Sequence, residues 1–118
     1  MATIKSYTDI EQSRKLAEIL PLESADMHSE AVEINGDMVF VVVCGIGDKN
    51  KSNYGSPIWS LAALLDVLPE GYSSILIKSF NGKDYCCKID GKPFETEAKN
   101  PVDACYKLIL KLNELNLL

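Results

Sequence analysis

Between Gly45 and Gly55 the chain reads GIGDKNKSNYG, a glycine-rich stretch that follows an apolar run and leads toward a helix-forming segment. In that position backbone N–H groups and a helix N-terminus can face a phosphate. Lys49, Lys51 and Tyr54 are the side chains there that could hold a small anion. The stricter phosphate patterns are missing. Gly45-x-Gly47 is followed by Asp48, and Asn50 stands where the dinucleotide pattern needs its third glycine. No G-x-x-x-x-G-K-S/T run occurs either. A plain surface connection is therefore the first expectation for Gly45–Gly55. Binding of a nucleotide or another small ligand, with or without catalysis, is the alternative.

His28 is the single histidine and sits among Asp26 and Glu30. A metal site needs several converging His, Cys or carboxylate ligands, and this cluster offers one nitrogen and two oxygens, so no metal is expected. The four cysteines are Cys44, Cys86, Cys87 and Cys105, with no C-x-x-C among them. They read as reduced thiols, buried as small hydrophobes. Cys86 and Cys87 are adjacent and on a strand would point to opposite faces. A nucleophilic thiol would need His28 as its base, and nothing in the spacing brings the two together. Glu95 and Glu97 share one face of a strand, where alternating acids commonly guard an edge. No catalytic residue, metal or cofactor is assigned.

The elements around these residues can be read from local signals. Thr8-x-x-Glu11 has the form of a capping box opening a first helix that Pro21 ends. Ile10, Leu16, Ile19 and Leu20 supply its apolar stripe. Asn35-Gly36, between Ala31–Ile34 and Met38–Cys44, is a strong hairpin signal. The second of these strands, MVFVVVC, is apolar on both faces, the pattern of a central strand covered on both sides. Ser56 and Pro57 then suit the start of a second helix, IWSLAALLDVLP, apolar almost all round and so expected to be buried or covered by a second subunit.

Three strands follow, Ser74–Phe80, Lys83–Ile89 and Lys92–Thr96, joined at Asn81-Gly82 and Asp90-Gly91 by two-residue turns. That pairing sets Phe80 opposite Lys83, and Cys87 between Leu76 and Phe94. Leu76, Phe80, Tyr85, Cys87, Ile89 and Phe94 then share one apolar face, and Cys86 is the more exposed of the adjacent cysteines. Asn100-Pro101 opens a last helix with Asp103 near its positive end. Val102, Cys105, Leu108, Ile109, Leu112 and Leu115 recur along it at helical spacing. The expected fold is α+β, a single domain over residues 1–118 in the order α-ββ-α-βββ-α. Its antiparallel strands, in two hairpin or meander units, are packed by helices. Tight hairpins exclude the doubly wound parallel nucleotide-binding folds.

The chain has 118 residues, 47% hydrophobic and 25% charged, which suits one globular core. No apolar run reaches the about 20 residues that cross a bilayer, and the polar N-terminal segment does not resemble an export signal, so a cytoplasmic location is expected. The net charge is −5, and Leu16–Asp48 holds Glu18, Glu23, Asp26, Glu30, Glu33, Asp37 and Asp48 with no Lys or Arg. Such a stretch repels phosphate and argues against general nucleic-acid binding. It reads as a solvated face, or more sharply as a surface for a basic partner, DNA mimicry included.

Three segments carry a resemblance: the run SPIWSLAALLDVLP from Ser56, Asp84–Ile89 (DYCCKI) and Asn100–Leu115 (NPVDACYKLILKLNEL). They resemble a family of small uncharacterised proteins of prophages and mobile elements in gut bacteria, over about the C-terminal half. The resemblance implies a phage-related context and no activity or site residue; the long Gly45–Gly55 connection departs from the shorter one it implies. The expected function is a non-enzymatic accessory protein that binds another protein or a second copy of itself as a homodimer. Tyr54, Trp59 and the C-terminal leucines Leu115, Leu117 and Leu118 would anchor it, although Trp59 also fits a core position.

Overall fold

The computed structural model describes residues 5–79 and 82–118. Helix α1 spans Ile10–Ile19. Its capping box falls one residue later than expected: Gln12 N–H donates to Asp9 Oδ1 at 2.8 Å, and Asp9 N–H donates to Gln12 Oε1 at 3.1 Å. Thr8 is instead buried and its hydroxyl serves tertiary structure, accepting the Trp59 N–H at 3.2 Å and bonding Ser13 Oγ at 2.8 Å. The helix stops before Pro21, as expected.

The first sheet contains β1 (Met27–Ile34), β2 (Asp37–Cys44) and β3 (Tyr54–Ile58), in the spatial order β2-β1-β3 and antiparallel throughout. Asn35 (φ 51°) and Gly36 (φ 85°) adopt the two positive φ angles of a type I′ turn, and Ile34 pairs with Asp37 as the hairpin signal requires. Two expectations fail here. The apolar β2 is not central; it lies on the edge. And Ser56-Pro57 opens no helix: both belong to β3, whose register on β1 shifts between His28 and Glu30. The N-terminal segment holds the following backbone extended. Thr8 N–H donates to Trp59 O at 3.0 Å, and Leu61 N–H donates to Ser6 O at 3.2 Å. Helix α2 therefore starts only at Leu61 and ends at Asp66, capped by Ser60, whose N–H and hydroxyl are held by the Asp26 carboxylate.

The second sheet is the expected meander, β4 (Ser74–Lys78), β5 (Tyr85–Ile89) and β6 (Glu95–Ala98). Leu76 pairs with Cys87 as anticipated. Phe80 and Asn81, on which the first turn was read, lie outside the described residues. Cys87 faces Thr96 and not Phe94, because Asp90-Gly91 opens a longer loop in which Lys92 N–H donates to Ile89 O and Ile89 N–H to Phe94 O, both at 3.1 Å. A shift of two residues preserves the alternation of faces, so Leu76, Tyr85, Cys87, Ile89 and Phe94 still turn toward the core.

Helix α3 (Pro101–Glu114), capped by Asn100 with Pro101 in its first turn, covers β5 and β6 and touches α2. Leu16, Trp59, Leu64, Cys87, Val102, Leu108 and Leu112 form the centre of the core, each at most 1% exposed. Lys5 Nζ donates to Asp103 Oδ1 at 2.8 Å, and Gln12 Nε2 donates to the same oxygen at 2.7 Å, tying the start of α1 to the start of α3.

The core thus belongs to the second sheet and the helices. The first sheet contributes Ile58 to the buried hydrophobes; His28 and Ser29 are the buried residues of β1, and β2 has none. The described residues span 51 × 36 × 19 Å with a radius of gyration of 15.5 Å. A compact chain of this length would have about 13.5 Å.

Candidate functional site

The Gly45–Gly55 segment leads into a strand, so no helix N-terminus faces it and the phosphate-loop geometry does not form. The segment is fastened to β1 through His28. His28 Nδ1 lies 2.7 Å from Gly45 O, and its Nε2 lies 3.1 Å from Glu30 Oε1. His28 is buried, and its imidazole stacks on the Tyr54 ring, with centroids 5.8 Å apart and planes 12° from parallel. A side chain at Gly47 (φ 76°) would put its Cβ 2.7 Å from three imidazole atoms, so the loop closes over the ring only because this residue is glycine.

The Gly45 carbonyl and the Glu30 carboxylate raise the His28 pKa against the opposing effects of burial and Lys51. His28 is thus a structural clasp. Among the described residues no group of three or more His, Cys, Asp or Glu side chains could hold a metal ion.

The other residues singled out in the sequence are dispersed. Lys49 and Lys51 are exposed on the loop, while Tyr54 is half-buried beneath it. Trp59 is fully buried, donating from Nε1 to Ser24 Oγ at 3.0 Å, so it serves the core and offers no surface anchor. Leu115, Leu117 and Leu118 are exposed. Helix α2 buries Ala63 and Leu64 and leaves Ala62 and Leu65 exposed.

The thiols also separate. Cys87 and Cys105 are buried with their sulfurs 3.4 Å apart, Cys86 is half-buried, and Cys44 is exposed, contrary to the expectation of a buried residue. Burial, with Glu95 and Glu97 adding to it, pushes the Cys86 thiol pKa up, away from a reactive thiolate. Cys86 belongs to the second sheet and His28 to the first, so the pair needed for thiol catalysis is not assembled. A polar depression at Asp84, Glu97, Lys99, Asp103 and Lys107 has Asp84, Lys99, Asp103 and Lys107 engaged locally. Lys99 bonds Asp84 at 2.8 Å, Lys107 bonds Glu97 O at 3.0 Å, and Asp103 takes Lys5.

What sequence reading placed inside the molecule lies on its outside. Along β2, Met38 is 67% exposed, Phe40 60% and Val42 38%, all on one face. Val39, on the other face, is 38% exposed. The Phe40 ring lies across β1 toward Gly55, where a Cβ would stand 3.0 Å from the ring and 2.3 Å from Ser29 Oγ. Beside it, Tyr7, Ile10, Val42 and Ile58 complete an apolar cleft of about 200 Å³ between the start of α1 and β2.

The backbone direction follows from the ladder. The two-residue turn makes Ile34–Asp37 a hydrogen-bonded pair, so odd-numbered residues of β2 turn their N–H and C=O groups toward β1. Two bonds agree: Gly45 N–H reaches Asp26 O on the β1 side, and Ala31 N–H turns away from β2 to Asn53 O, each at 2.8 Å. Met38, Phe40, Val42 and Cys44 therefore direct their backbone groups outward.

The sequence signal for this surface was present: seven residues, Met38–Cys44, without a charge, a proline or a glycine. Compared with protein-family models, with curated proteins and with solved structures, the chain matches none.

Proposed function

We propose that this protein is a non-enzymatic binding module that pairs β2 with a strand of a protein partner. The observation that carries the reading is the edge itself, apolar on both faces and with outward-turned backbone groups. Native sheets ordinarily guard such an edge with Lys, Pro, a bulge or a covering loop, and Met38–Cys44 carries no guarding residue. Strand addition supplies main-chain hydrogen bonds for affinity, while alternate side chains, here Met38, Phe40 and Val42, supply selectivity. An uncovered apolar surface of this kind marks an interaction site more often than a tolerated defect.

The acidic residues have a lesser part. Asp26 holds Ser60, Glu30 holds His28, and Asp48 accepts the Asn50 N–H at 2.9 Å. Three of the seven thus serve the fold, which weakens their reading as a continuous charged face. An accessory role of this kind suits the mobile-element resemblance, which adds no residue to it. Among the described residues no helix is long and apolar enough to cross a membrane.

A photoreactive phenylalanine derivative at position 40, used in the cells that make the protein, tests the reading. Protein adducts are expected there, lost when Val42→Pro removes an outward N–H. Adduct yields no higher than at the exposed Lys15, or unchanged by Val42→Pro, would refute it.

A further inference from the structure

We infer that the strand seated on β2 is the β2 of a second copy, paired antiparallel about a two-fold axis at Val41. This rests on the binding reading above and specifies its partner. Outward-turned residues must pair with outward-turned residues, so only registers that bring even-numbered positions together form a ladder. One of them, Phe40 opposite the second copy's Val42, overlays Met38–Cys44 on itself and pairs the whole uncharged run. Asp37 then faces the second copy's Gly45, and the two Asp37 carboxylates lie about 27 Å apart along the strands, beyond the screening length at physiological salt. Shifting by two residues in one direction brings Asp37 against Val43, and in the other it leaves Met38 opposite Ile46 beyond the strand end.

The self-overlay is favourable in side chains as well as charge. Phe40 stands against Val42 twice, an aromatic against a β-branched residue, the kind of cross-strand pair that stabilises sheets. The resulting six-stranded sheet runs from one β3 to the other. At each end stands Pro57, opposite His28, where its nitrogen turns outward and has no proton to donate. Extension beyond two copies is blocked there, which makes the pairing closed.

Each copy carries a net charge of −5, so self-pairing is opposed by repulsion that salt screens. A basic partner on the same strand would show the opposite salt dependence.

The register fixes a cross-linking pattern. Val41 faces Val41 in a non-hydrogen-bonded pair with Cα atoms about 4.5 Å apart, within disulfide reach. Val39 faces Val43, while two copies of Val39 lie about 14 Å apart. In a Cys44→Ser background, Val41→Cys is expected to oxidise to a covalent dimer. Val39→Cys and Val43→Cys are each expected to stay monomeric alone and to cross-link when mixed.

By light scattering the wild type is expected to double in mass with concentration and to associate more tightly as salt is added. Val42→Pro removes two symmetry-related hydrogen bonds, and Val42→Lys sets a charge against the second copy's Phe40. Each is expected to stay folded by the fluorescence of the buried Trp59 and to weaken association about tenfold or more. A wild type that stays monomeric to millimolar concentration, with no Val41→Cys dimer, overturns the second-copy assignment. Photo-adducts at position 40 to a different protein would in that case keep the binding reading standing alone, and their absence would end both.

Discussion

Phe40→Ala separates an exposed strand from a buried one by the size of its effect. The side chain is 60% exposed, so about two fifths of its surface is covered in the monomer, chiefly across β1 toward Gly55. Fully burying a phenylalanine contributes about 1.5–3 kcal/mol, and two fifths of that is about 1 kcal/mol. The lower strand preference of alanine adds at most about 1 kcal/mol. A core phenylalanine, by contrast, loses about 3–5 kcal/mol on truncation, because a cavity remains behind it.

Urea unfolding followed by the fluorescence of Trp59, at the lowest usable protein concentration, is therefore expected to show a loss of about 1–2 kcal/mol with an unchanged slope. Leu108→Ala, at a position with no exposed surface, is expected to lose about 2–5 kcal/mol in the same assay. Raising the concentration should widen the gap between wild type and Phe40→Ala, since association stabilises only the folded state that pairs. A loss of 3 kcal/mol or more at the lowest concentration would show Phe40 to be core and would remove the open surface from which the function is argued.

Three further outcomes follow from the same geometry. The folded pKa of His28 is raised by Gly45 and Glu30, so its stabilising contribution is complete below its unfolded value of about 6.5 and fades as pH rises through the folded value. Wild type should therefore lose stability relative to His28→Asn between mildly acidic and mildly alkaline pH in urea titrations; parallel pH profiles would refute the clasp. Burial alone would raise the Asp103 pKa, but hydrogen bonds from Lys5, Gln12 and Asn100 outweigh it and hold the carboxylate low. Asp103→Asn should cost about 1–2 kcal/mol at neutral pH and less as acid protonates the wild-type residue, and a loss independent of pH would contradict that. Native thiol labelling should modify Cys44 first and Cys86 more slowly, with Cys87 and Cys105 reacting only on unfolding; rapid modification of Cys86 would overturn its assignment as an unreactive thiol.

Much of the fold was legible because its signals are local. Asn35-Gly36 needs only its own two backbone conformations to set the first hairpin, and Asn100-Pro101 carries its cap and its fixed φ within one turn. Alternation along Tyr85, Cys87 and Ile89 identified the core face of the meander, and it survived a two-residue slip because the pleat has a period of two. Cys86 came out as the less buried of its pair for the same reason.

The Asp90-Gly91 turn failed locally, in its loop length, and the larger failures concern what lies beside a segment. Pro57 suits the first turn of a helix and an edge strand equally well. Ser6 and Thr8, about fifty residues away in the chain, hold the neighbouring backbone extended and delay the helix to Leu61. Trp59 could be anchor or core until Ser24 closed over its indole. The apolar run Met38–Cys44 was read as central because hydrophobicity records a preference for cover and not its source. Residues alone determined that β2 is apolar on both faces. Tertiary structure decided that nothing described within this chain covers it, because α1 packs on β3 while α2 packs on α3 and α3 on the second sheet, leaving the edge of the first uncovered among the described residues.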